Sequence, residues 1–235
     1  MFNDIGISGK LDFPRIKKLL SIGIFSSLLH LVGAFILGWG SENETLTGAL
    51  RLISAYTETS DGGIFAASIL GLFGMTLEGL SMFGIYRLMA ETSPKYAHSY
   101  RSGIFGYLMF GACGVHVPLC AVAFLEKHGL SADIAELFAS YFILPSFVLF
   151  LIFFAVLQIT QIRAFSGGKT PCPRYCAVFV PVLGTAVAAL PKLFGNYPFT
   201  NALFFARLAI GNLWTFTGLL ISVKSKKKRA YSKSE

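Results

Sequence analysis

The run from Gly62 to Met89, GGIFAASILGLFGMTLEGLSMFGIYRLM, is long enough to cross a bilayer as one helix, and it carries a single carboxylate, Glu78. A hydrocarbon core about 30 Å thick takes about 20 residues of helix. A central acidic side chain costs about 2.5 to 3.5 kcal/mol on insertion scales, against about 0.3 to 0.6 returned by each Leu, Ile or Phe. The run can carry one Glu on those terms, and no other acidic residue sits inside any apolar run of the chain. Glu78 shares a helical face with Gly71, Gly74 and Ser81, at spacings of three and four. That face predicts a carboxylate looking into a bundle through a groove of small residues rather than into lipid. An ionisable group so placed is a functional candidate by default.

The rest of the chain fits this reading. Of 235 residues, 54% are hydrophobic and only 14% charged, far below the roughly 25% charged content of soluble domains. We expect an all-α, polytopic membrane protein: one membrane domain over residues 1–235, folded as a six-transmembrane-helix bundle. The spans are placed at about 19–39, 62–89, 103–125, 137–162, 175–193 and 201–223. A short interfacial helix is expected in the loop after the first span, where Leu46, Leu50 and Ile53 recur at helical spacing. Pro145 is expected to kink the fourth span, and Pro181 and Pro191 to make the fifth irregular. The net charge of +8 comes from basic residues that flank apolar runs. There they orient the protein and meet anionic headgroups, so membrane lipids are the expected partners and no nucleic-acid role is read from the charge.

Orientation follows from the same residues. Of the 20 Lys and Arg residues, 16 fall on the N-terminus, the second–third loop, the fourth–fifth loop and the tail; only Arg51, Lys127, Lys192 and Arg207 fall on the other side. This asymmetry predicts a multi-pass protein of the cytoplasmic membrane with both termini in the cytoplasm. Trp39 and Tyr197 then mark the outer interface, and Tyr86, Tyr107 and Tyr175 the inner one.

Helical rise turns these spans into depths. Counted from the cytoplasmic end of each span, His30, Glu78 and Asn212 lie about 16 Å deep, Thr185 about 15 Å and His116 about 20 Å. Gly23, Ser27, His30, Ala34 and Gly38 form one small and polar stripe, and Cys113, His116 and Cys120 another. Five polar side chains near one level predict a midplane cavity for a small amphipathic or lipid-like molecule. Its candidate ligand-binding residues are His30, Glu78, His116, Asn212, Trp214 and Arg207, with Glu78 and His116 the candidates for acid–base chemistry. Structural pairing of Glu78 with a histidine is the plain alternative, and interfacial anchoring and snorkelling are the plain readings of Trp214 and Arg207. A small proton-coupled transporter and a structural membrane subunit stay open as functions.

Cofactor chemistry finds little purchase. Three potential ligands over two turns of one apolar helix, Cys113, His116 and Cys120, argue against a zinc site. A His30–His116 haem clamp is generic, and no Lys lies deep enough in a span to hold retinal. No metal or cofactor is expected. Cys172 and Cys176 lack the spacing of a CxxC motif, which leaves acylation or no role ahead of a disulfide.

Several short motifs resemble an uncharacterised family of six-span bacterial integral membrane proteins. They are GAFILGWG closing the first span, GLSMFGIYRLM closing the second, GVHV in the third, FVPVLGTAV and LPKLFG in the fifth and ARLAIGNLWTF in the last. The resemblance covers nearly the whole chain and implies a fold but no activity.

Overall fold

The computed structural model describes residues 11–46, 51 and 53–231, with side chains described as far as Val223. Five helices are long and apolar enough to cross a membrane: α1 (Phe13–Gly38), α2 (Asp61–Ala90), α3 (Pro94–Lys127), α4 (Ala132–Ser166) and, after a shorter apolar helix α5 (Pro181–Phe194), α6 (Pro198–Val223). The described residues contain no strand. These elements make an all-α membrane bundle. The part of the expected interfacial helix that includes Leu50 lies outside the described residues, while Ile53 is helical and buried.

Local chemistry sets the helix starts. Asp12 caps α1 by accepting the Arg15 amide at 3.1 Å, and a proline occupies the first turn. Ser60 caps α2 through the Gly63 amide at 3.1 Å. Each cap satisfies an amide that the helix itself cannot. α1 and α3 begin well before the expected starts at 19 and 103, because polar first turns, capped by Asp12 in α1 and opened by Pro94 in α3, extend each helix beyond its apolar run.

Glycines fix how the helices pass one another. A Cβ on Gly33 would stand 3.1 Å from the Ala67 carbonyl oxygen, and one on Gly84 3.1 Å from the Leu19 Cβ, so α1 and α2 run antiparallel with backbones nearly touching. Gly23 against Phe216 and Gly38 against Ala202 set α1 antiparallel to α6 in the same way. The start of α1 and the end of α6 therefore lie at one end of the bundle. α4 is the outlying helix, with only 17% of its apolar window buried and the rest facing outward.

The expected fifth span looks different. A 3-10 turn, Arg174–Val178, precedes α5, whose α-helical part stops at Ala189 before a second 3-10 turn, Leu190–Phe194. Pro181 and Pro191 lack the amides that a continuous helix would use. Two glutamines of α4 stand in for the missing ladder: Gln161 Nε2 donates to the Phe179 carbonyl at 2.7 Å, and Gln158 Oε1 accepts the Val182 amide at 3.1 Å. Tyr100 Oη in turn donates to Gln161 Oε1 at 3.2 Å. Although interrupted, the segment runs the length of α6. It starts where the Phe179 ring occupies the place a Cβ on Gly218 would take and ends where Lys192 Nζ donates to Asn201 Oδ1 and, at 2.7 Å, to Glu42 Oε1.

Two π-helical stretches interrupt the long helices: Tyr107–His116 in α3 and Ala139–Ile143 in α4. Each ends two residues before a proline, Pro118 and Pro145. A proline ring presses on the carbonyl one turn back and offers it no N–H, and a wider turn relieves both problems. At Pro145 the expected kink takes this π-helical form.

Candidate functional site

Glu78 is 0% exposed and lies where α1, α2, α3 and α6 meet. One carboxylate oxygen takes every contact. Oε2 accepts from Tyr107 Oη at 2.6 Å, from Asn212 Nδ2 at 2.9 Å and from His30 Nδ1 at 3.1 Å. Asn212 Nδ2 also donates to Tyr107 Oη at 3.0 Å, which closes a triangle around Oε2. The direction of these bonds is fixed by chemistry. A carboxylate only accepts, the phenol spends its proton on Oε2, and so the Asn212 amide must present its NH2 group to both.

Two acceptors at this centre have no hydrogen-bond partner among the described residues: Glu78 Oε1 and Asn212 Oδ1. The Ser27, Ser81 and Thr185 hydroxyl oxygens, also buried, share that condition. Ser27 is level with the carboxylate: Gly74 faces the His30 backbone and Gly84 faces Leu19, so Glu78, between the two glycines, stands opposite the turn that holds Ser27. The Gly23–Phe216 and Gly38–Ala202 contacts bracket Ser27 and Asn212 in the same way on α1 and α6.

Two glycines make room for the imidazoles. A Cβ on Gly74 would come within 2.7 Å of the His30 amide nitrogen, and one on Gly71 would overlap the His116 ring. The small-residue face seen in the sequence thus seats two histidines. They meet edge to face, with ring centroids 6.3 Å apart. His116 does not reach Glu78: its Nε2 pairs with the Ala67 carbonyl at 3.1 Å and lies 3.9 Å from Cys120 Sγ. Cys113, expected on the same stripe, is exposed.

Of the six expected ligand-binding residues, the structure joins His30, Glu78 and Asn212, sets His116 beside them and places the other two elsewhere. Trp214 is 46% exposed, and its Nε1 donates to the Val178 carbonyl at 3.0 Å. Arg207 donates to the Phe204 carbonyl and lies over the Phe204 ring, 3.8 Å from its centroid. Thr185 packs against Gly211, the neighbour of Asn212.

Tyr107 corrects the sequence reading. It was expected at the inner interface, yet it is fully buried and makes the shortest bond to Glu78. The helix begins at Pro94 and not near residue 103, which sets Tyr107 about 20 Å along it. The π-helical turn does the rest. Tyr107 and His116 are nine positions apart, which at 100° per residue sets them on opposite faces, whereas about 4.4 residues per π turn returns them to one.

No group of three or more His, Cys, Asp and Glu side chains suited to a metal occurs among the described residues. What the site offers is a fixed carboxylate oxygen, an amide oxygen and a hydroxyl, all fully buried.

Five long apolar helices around a buried carboxylate mark the chain as a multi-pass membrane protein. It belongs to the family of unknown function DUF6796, whose model matches residues 1–226. No curated protein and no solved structure matches it.

Proposed function

We propose that the protein binds a small ligand near the membrane midplane through Glu78, with Tyr107, Asn212 and His30 holding the carboxylate in place. The observation that carries this is the pair of fully buried acceptors, Glu78 Oε1 and Asn212 Oδ1, without a donor. A buried polar group left unpaired costs about 1 to 3 kcal/mol, and more when charged. Two free acceptors, one on a carboxylate and one on an amide, call for a ligand that brings hydrogen-bond donors or positive charge. The donor-bearing end of an amphipathic or lipid-like molecule meets that need, and the adjoining His30 and Glu78 give such a site the means to pass a proton. A thermal-shift screen of lipids, isoprenoids and small amphiphiles tests the reading. A hit should stabilise the wild type by about 2.7 kcal/mol at a hundredfold excess over Kd and lose its effect in Glu78→Gln; a hit that stabilises both proteins equally would refute it.

The closed triangle around Oε2 favours a second reading, a small proton-coupled transporter in which the donor is a proton carried by Glu78. Proton flux in proteoliposomes that survives Glu78→Gln would count against it.

We also propose six crossings of the cytoplasmic membrane with both termini cytoplasmic. The 16-to-4 split of basic residues supports the orientation. The segment from Phe179 to Lys192, which runs along α6 from Gly218 to Asn201 despite its breaks, supports the sixth crossing.

A further inference from the structure

The binding centre can be read more closely, on the premise that Glu78 is a ligand site. Three of its free atoms are oxygens on different helices: Glu78 Oε1 on α2, Asn212 Oδ1 on α6 and Ser27 Oγ on α1. All three residues are 0% exposed. The neighbouring Ser26 has the same hydroxyl but spends it on the Gly23 carbonyl at 2.9 Å, so Ser27 is the one left over. The other ends of Glu78 and Asn212 are fixed. Oε2 and Nδ2 are tied to each other and to Tyr107, which leaves Oε1 and Oδ1 no freedom to swing away toward other donors.

We infer that Glu78 Oε1, Asn212 Oδ1 and Ser27 Oγ form a site for a dehydrated monovalent metal cation of sodium size, held at the midplane.

Three arguments select that class. The first is charge. The centre has one carboxylate and otherwise neutral ligands, so a single positive charge gives a neutral complex, whereas a divalent ion would leave a net charge in a low-dielectric interior where isolated charges are costly. The second is ligand type. The three free atoms are hard oxygens, which suit an alkali cation better than a transition metal. The third is ligand number. Ca2+ takes about 6 to 8 oxygens and Mg2+ keeps several waters, while three protein oxygens from three helices leave room for only a small coordination sphere.

The test uses the purified full-length protein in detergent, with NaCl compared against choline chloride at equal ionic strength. Sodium should raise the melting temperature saturably, and choline should not. Ser27→Ala, a small change remote from the triangle around Oε2, should leave the fold intact and raise the half-saturating sodium concentration about tenfold, the equivalent of about 1.4 kcal/mol. Equal melting temperatures in sodium and choline overturn the inference, as does a sodium effect that is unchanged in Ser27→Ala. The broader reading fails separately. If sodium has no effect while an amphiphile stabilises the wild type but not Glu78→Gln, the site stands and only the cation is wrong.

Discussion

Tyr107 and His116, nine residues apart on α3, both face α2: one donates to Glu78 at 2.6 Å and the other pairs with the Ala67 carbonyl at 3.1 Å. Only the π-helical stretch between them makes this possible. A regular α-helix through the same residues would turn Tyr107 away from Glu78 and leave Oε2 with two donors. The π turns are thus part of the site, and Pro118, which follows them, is part of their cause.

The Tyr107 hydroxyl can be removed without changing the ring. Bonds to charged groups contribute about 1.5 to 3 kcal/mol in soluble proteins, but pairs inside membranes average nearer 0.6. We expect Tyr107→Phe to lower unfolding free energy by about 1 to 2 kcal/mol, and Asn212→Ala to act on the same network. Reversible unfolding of the two single variants and the double variant in bicelles should show a coupling of at least about 0.5 kcal/mol. Simple additivity would mean that the triangle around Oε2 is not an energetic unit.

Gly71 has no room for a side chain, because a Cβ there would overlap the His116 ring. Forcing one methyl into such a contact typically costs about 1 to 3 kcal/mol. Gly71→Ala should therefore destabilise the protein, and His116→Ala in the same chain should restore much of the loss. Thermal unfolding of the single and double variants checks this. A double variant less stable than Gly71→Ala alone would contradict the placement of the imidazole.

These residues also show where the sequence was legible. The Gly71, Gly74, Glu78 face follows the α period of a regular helix, so its direction could be read from spacing, as could the shared depth of His30, Glu78 and Asn212. Tyr107 could not be placed in that way, since the period changes within the helix that carries it. Pro118 was visible, but a proline allows a kink, a break or a wider turn with equal ease. Gln158 and Gln161 were passed over for another reason. Their role depends on Pro181 in a different helix, and nothing local to α4 announces it. Trp214 and Arg207 were expected among the ligand-binding residues, but two helical steps from Asn212, about 200°, turn Trp214 out toward the Val178 carbonyl.

The number of crossings turns on the segment that contains α5, and two positions suffice to decide it. Asn43 is exposed, and its side chain accepts bonds only from the Thr45 amide at 3.0 Å and the Thr45 hydroxyl at 2.7 Å. The loop around it is held by Glu42, which accepts from Arg51 Nε at 3.1 Å and Lys192 Nζ at 2.7 Å. A reporter at position 43 therefore samples a fixed point just past the end of α1. In a chain whose four cysteines are replaced, Asn43→Cys and Ser232→Cys can each be probed in intact cells with a membrane-impermeant maleimide. Six crossings with an N-terminus inside expose position 43 and shield 232. If the segment between α4 and α6 turned back without crossing, five crossings would remain and both positions would label from outside. Labelling of 232 alone would reverse the orientation drawn from the basic residues. The charge rule and the run of α5 along α6 agree on one outcome, label at 43 and none at 232, and any other pattern removes the sixth crossing or the direction of all six.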